Sequence, residues 1–89
     1  GITALILLNI LENFDLRGMN PLSPERLHLG IEAARLAYAV RDQHIADPAH
    51  MRYSVDQLTS KDFARTLAGM IDPARRTPLL VPPPPGSDT

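Results

Sequence analysis

Three histidines and a few charged side chains are the residues of this 89-residue chain whose types could do chemistry. His28, His44 and His50 could each offer an imidazole nitrogen to a metal, and Glu32 lies one helical turn beyond His28. A helical His-Glu-x-x-His pattern would set two imidazoles on one face beside a carboxylate. It is absent, and the other histidines are poorly spaced to converge. All three are therefore expected to be surface or helix-facing side chains, and no metal or cofactor is expected. Glu32 and Arg35, three apart, are expected to form an ordinary exposed pair worth roughly a few tenths of a kcal/mol. Arg41 sits within an apolar arc, so a buried or half-buried partner is expected for it. The closing Gly86-Ser87-Asp88-Thr89 is too short for a phosphate loop and lacks its lysine. With no cysteine in the chain, disulfides, thiolate zinc sites and a cysteine nucleophile are excluded. Taken singly, none of these residues rises above a structural role.

The elements that would carry them are mostly helical. Residues 2–14 place Ile2, Leu5, Ile6, Leu7, Leu8, Ile10, Leu11 and Phe14 nearly all the way round a first helix, which calls for burial on most sides. Gly18, Asn20 and Pro21 mark the connector at residues 15–23. The second helix is expected over residues 24–46, with Ser23 as N-cap, Pro24 in its first position and Glu25 in its first turn. Leu27, Ile31, Ala34 and Tyr38 share one face of it, and Leu29, Ala33, Leu36 and Val40 form a stripe alongside. It stops at Asp47-Pro48, and at about 1.5 Å per residue it is roughly 35 Å long. Small residues at Ala33, Ala34, Ala37 and Ala39 would let neighbours approach its backbone, so it is expected to be central. A single turn at residues 55–58 precedes a third helix over residues 61–71, capped by Ser60, with Phe63, Leu67, Met70 and Ile71 facing inward. Arg75 and Arg76 then begin a polar exit. Pro78 and the Pro82–Pro85 run make a stiff polyproline strut ahead of a flexible end.

A formal net charge of −1 gives no reason to expect nucleic acid or acidic lipid as a partner. The apolar start is far too short to span a bilayer, so no membrane association is expected. Three helices of these patterns cannot easily cover one another. Each large side chain of the first helix left exposed forfeits about 1.5–3 kcal/mol. The chain thus reads as an excerpt of a larger fold, or as a piece that associates with itself through the first helix.

The segments in their order resemble the gamma-glutamyltranspeptidase family. The matching pieces are Gly1-Ile2-Thr3-Ala4, then Asn9-Ile10-Leu11-Glu12-Asn13-Phe14-Asp15, then Leu27-His28 with Ile31-Glu32-Ala33 and Arg35-Leu36-Ala37-Tyr38-Ala39 ahead of Arg41. Asp47-Pro48 and Leu58-Thr59-Ser60-Lys61-Asp62-Phe63-Ala64 complete them. The resemblance implies a mainly α segment, about three helices plus a Pro-rich tail, excised from an αββα N-terminal-nucleophile hydrolase. Residues 1–77 would be a helical region of the large subunit, and residues 78–89 the linker to a self-cleavage site between Asp88 and Thr89. Thr89 falls where the family's nucleophile belongs. Its expected partners are the rest of the large subunit, the small subunit and a gamma-glutamyl substrate such as glutathione. The isolated piece would be inactive.

Two departures accompany the resemblance. Val40 stands where the family usually has Asp, which favours a relative of altered specificity such as a cephalosporin acylase-like amidohydrolase. A matured large subunit would also end at Asp88, so a chain retaining Thr89 is expected not to derive from cleavage at that bond. The competing expectation is a stand-alone helical interaction module with a polyproline tail as ligand. Compartment is left open, although periplasmic or secreted members are common in the bacterial family.

Overall fold

The structure, a computed structural model, describes residues 1–86. Helix α1 spans Ile2–Leu11 and α2 spans Pro24–Val40, continuing without a break into a π-helical turn at Arg41–Ile45. A 3₁₀ turn at Pro48–His50, a single-turn α3 at Val55–Leu58 and α4 at Lys61–Ala68 follow. Among the described residues there is no strand.

Side-chain caps explain most of the boundaries. Ser23 Oγ accepts the Arg26 backbone N–H at 3.2 Å and Pro24 occupies the first turn, where its missing N–H is harmless. Ser60 Oγ accepts the Phe63 N–H at 3.0 Å in the same way. Ser54 and Gln57 cap α3 reciprocally, at 3.0 and 2.8 Å. Two helices are shorter than their apolar patterns suggest. In α1 the backbone tightens beyond Leu11, with Asn13 and Phe14 donating to the carbonyls of Ile10 and Leu11. The Asn13 side chain also folds back onto the Asn9 carbonyl at 3.0 Å, so Phe14 packs from a turn. In α4, Met70 and Ile71 donate to Leu67 and Ala68, and the α pattern ends at Ala68 although Ile71 stays buried.

Helix α1 lies across both α2 and α4. Ile6 and Ile10 of α1 meet Leu29, Ala33, Leu36 and Val40 of α2 and Phe63 and Leu67 of α4 in one core. Ala33 and Ala37 are buried at the close approach that small side chains permit. Asn9 is 3% exposed and joins α1 to the start of α4. Its amide donates to the Thr59 carbonyl at 2.9 Å and its oxygen accepts from Lys61 Nζ at 2.7 Å. Lys61 also reaches the Glu12 carboxylate at 2.8 Å.

Only one of the two apolar stripes of α2 is buried. Leu27, Ile31 and Tyr38 are more than half exposed, at 51, 59 and 51%. Leu5 and Leu8 of α1 also face outward. The segments thus cover one another better than their patterns suggest, yet two apolar faces stay open. The tail differs from a free strut. After α4 the chain turns back along α2, and Thr77, Val81 and Pro84 are buried.

Candidate functional site

Asp88 and Thr89, the residues singled out for cleavage and nucleophilic attack, lie outside the described residues. What the structure gives is the path of the chain that leads to them, and the groups that hold it.

The first hold is Glu32. Its carboxylate is 3% exposed and accepts the Thr77 backbone N–H at 2.5 Å, across 45 residues of sequence. Arg35 Nη1 lies 2.9 and 3.1 Å from the two carboxylate oxygens. This corrects the expectation of an exposed pair, because the carboxylate is buried and its main service is to the tail. Burial, the largest single influence, pushes the Glu32 carboxyl up. The hydrogen bonds from the Arg35 guanidinium and from the Thr77 backbone N–H oppose it, with the Thr77 hydroxyl and the Arg35 charge adding to them. Together they outweigh burial and hold the carboxyl below its ordinary value. The Thr77 hydroxyl contributes through proximity, for it forms no well-aligned hydrogen bond among the described residues.

Gln43 supplies the second hold. Its Nε2 donates to the Leu79 carbonyl at 2.6 Å, and its Oε1 accepts the Val81 N–H at 3.1 Å. A carbonyl on one side and an N–H on the other fix which way the amide faces. One side chain thereby bridges the two sides of Leu80 much as a residue of an adjoining strand would. Gln43 stands in the π turn, where Ala46 N–H reaches back five residues to the Arg41 carbonyl at 2.8 Å. Single π turns within α-helices recur at functional sites. A third, outer contact joins His28 Nε2 to the Asp72 carbonyl at 2.8 Å.

The remaining polar candidates are engaged separately. His50 Nδ1 pairs with Asp47 at 2.7 Å on the surface. His44 meets the Tyr53 ring edge-on at 5.2 Å. Burial, and secondarily the Arg52 charge, hold its imidazole below the usual histidine range. Arg41 was expected to have a buried or half-buried partner; it is itself exposed and lies 4.8 Å over the Tyr38 ring, which is 51% exposed, while its ion-pair partner at 3.1 Å, Asp42, is exposed. Val40 is fully buried among apolar neighbours. Among the described residues no three His, Asp or Glu side chains are placed to hold a metal ion. An open recess of about 650 Å³ borders Leu8, Glu12, Asp15, Arg17 and Arg26, but its Glu12 is committed to Lys61. The described residues therefore form no nucleophile–base pair. They form an anchorage for residues 72–84.

Glu32, Thr77 and Gln43 were not legible as an anchorage. Their partners lie 36 to 45 residues away, and neither residue type nor spacing signals such pairs.

Comparison with known proteins bears on residues 1–86, which match the family model described as gamma-glutamyltranspeptidase. The chain is 36% identical over 72 residues to the glutathione hydrolase proenzyme of Escherichia coli, covering 81% of the chain and 12% of that protein. It is also 36% identical over 93 aligned positions to the glutathione hydrolase-like YwrD proenzyme of Bacillus subtilis, covering all of the chain and 17% of that protein. The crystal structure of Helicobacter pylori gamma-glutamyltranspeptidase superposes with a TM-score of 0.76 at 30% identity, over 92% of this chain and 24% of that one. The chain thus spans 12 and 17% of the lengths of these two curated relatives.

Proposed function

Because the chain belongs to the gamma-glutamyltranspeptidase family, we propose that it is the end of the large subunit of a self-cleaving precursor whose Thr89 transfers or hydrolyses gamma-glutamyl groups. In the precursor the Thr89 hydroxyl attacks the Asp88 carbonyl carbon. The peptide C–N bond breaks, the acyl group moves to oxygen, and the amine is released. Water then hydrolyses that ester, leaving Asp88 as a carboxylate and Thr89 with a free α-amine. That amine serves as base, directly or through water, when the same hydroxyl attacks a gamma-glutamyl carbonyl. The acyl group leaves Thr89 to water or to an acceptor amine.

The observation that carries this proposal is the held tail. Residues 77–84, which precede the proposed cut, are fastened to α2 by Glu32 and Gln43 and are not left free. The names of the two glutathione hydrolase relatives support a gamma-glutamyl substrate such as glutathione. Residues 1–77 act as helical scaffold and residues 78–89 as the linker within an αββα enzyme. The open faces at Leu27, Ile31 and Tyr38, and at Leu5 and Leu8, fit docking against the rest of the large subunit and the small subunit. The oxyanion donors and the groups that bind the substrate carboxylate and ammonium come from those partners, so this segment alone is inactive.

Thr89→Ala in the full-length protein tests the proposal. It leaves one uncleaved chain with no gamma-glutamyl transfer. Two normally processed subunits in that variant would remove Thr89 from the chemistry.

A further inference from the structure

We propose that Gln43 is a positioning residue for self-cleavage at Thr89, an inference that rests on the function proposed above. Gln43 is solvent-exposed, so its amide is under no burial pressure to find partners. Even so, both of its polar atoms are committed to the main chain on either side of Leu80, while the Leu80 side chain itself is 85% exposed. The clamp therefore holds backbone register and not a side-chain contact. A long, flexible side chain gives up its rotamer freedom for this.

The stretch beyond the clamp converts register into position. Pro82 to Pro85 follow directly, and a polyproline run advances about 3.1 Å per residue with fixed φ, so this rod covers roughly 12 Å. Val81 and Pro84 are buried, which pins the rod at its root and near its tip. Gly86 then turns the chain with a φ of 81°, a conformation that side-chain-bearing residues rarely adopt. Asp88, the residue before the proposed cut, stands two positions beyond Gly86 in the sequence. A stiff rod carries an error at its root to its tip, so the clamp sets where the chain enters its last residues before the cut. Intramolecular attack is sensitive to such errors: a misplacement of about 1 Å costs on the order of a hundredfold in rate. The π turn contributes by setting where Gln43 emerges from the helix, opposite Leu80.

The test follows cleavage of the full-length precursor after cell-free synthesis, on gels, for wild type, Gln43→Ala, Gln43→Met and Gln43→Glu. Met keeps the length of the stem without its polar atoms. Glu still accepts the Val81 N–H but turns an oxygen against the Leu79 carbonyl. All three are expected to cleave about tenfold more slowly, the effect of roughly one net hydrogen bond. Once fully cleaved, each should show wild-type kcat and KM. Each substitution in the Thr89→Ala background should leave the thermal midpoint within about 2 °C, as expected for a surface change in a large protein. Wild-type cleavage rates in all three variants would overturn the role of Gln43. Slowing that runs in parallel with lost Tm and lost mature activity would also overturn it, in favour of a purely stabilising contact. Thr89→Ala separates the two proposals. Should that precursor still cut at the same bond, the threonine mechanism falls; should it stay whole while the Gln43 variants cut normally, only the positioning role falls.

Discussion

Removing the Glu32 carboxylate should free the tail from α2 by an amount that can be worked out from its partners. Glu32→Ala leaves a buried Thr77 N–H with no acceptor and takes the two contacts at 2.9 and 3.1 Å from Arg35. Arg35 keeps access to water at 22% side-chain exposure, so its loss is small. Leaving the N–H unsatisfied costs about 1–3 kcal/mol, and the charged acceptor puts this case near the upper half, at about 2–3 kcal/mol. Local opening of the tail should then rise roughly 30- to 150-fold. Glu32→Gln keeps a neutral acceptor and should cost only about 1 kcal/mol. Hydrogen exchange followed by mass spectrometry on the intact protein reads this directly, in peptides covering residues 72–81. The pH dependence gives a second handle. The folded carboxyl titrates below its ordinary value of 4.5, so its stabilisation is complete above pH 4.5 and is lost as pH falls from there through the folded value. The Gln variant should lose that acid-dependent rise in exchange. Unchanged Thr77 protection in Glu32→Ala would refute the anchorage. Equal damage from Gln and Ala would show that charge, and not the acceptor, holds the tail.

Further outcomes follow from the rest of the fold. Asn9→Ala strips the buried link between α1 and the start of α4, and should lower stability by about 2 kcal/mol in urea unfolding of the uncleaved precursor. Lys61→Ala removes an exposed pair with Glu12, its members 62 and 58% exposed, but also takes the donor from the buried Asn9 oxygen, and in the same measurement should cost about 1–3 kcal/mol. His44 titrates below its ordinary 6.5 when folded, so acid penalises the fold as pH drops from 6.5 through that lower value. His44→Phe keeps a ring against Tyr53 and should flatten the fall of the precursor's thermal midpoint across that window. An undiminished fall would assign the acid sensitivity to other groups.

The helix starts were readable because they are local. Ser23 with Pro24, and Ser60, fix their ends through atoms within three residues, and the caps form as the residue types suggest. The buried stripe of α2 was readable as a stripe, but periodicity treats Leu27, Ile31 and Tyr38 as equals of Leu29, Leu36 and Val40. Which set finds neighbours depends on where α1 and α4 dock, and in these residues they dock on the second. The proline run was readable as extended chain. Its docking through Thr77, Val81 and Pro84 was not, because Glu32 and Gln43 look like ordinary helix-surface residues until the tail folds back onto them. The ends of α1 and α4 overran because an apolar side chain can stay in the core from a 3₁₀ turn as well as from an α turn.

The π turn at Arg41–Ile45 makes α2 sensitive to length in a way it is not sensitive to composition. Each residue of an α-helix swings the chain by about 100° around its axis. Dropping one residue from this turn would turn the bond from the Ala46 N–H to the Arg41 carbonyl into an ordinary α-helical one, so the chain beyond would keep its place while the side chains inside the turn shift around the axis. Gln43 would then point away from Leu80. Substitutions in this turn can accumulate gradually, each judged by the contact it alters. A single-residue deletion has no mild form, so the number of residues here should vary less among descendants of the gene than their identities do.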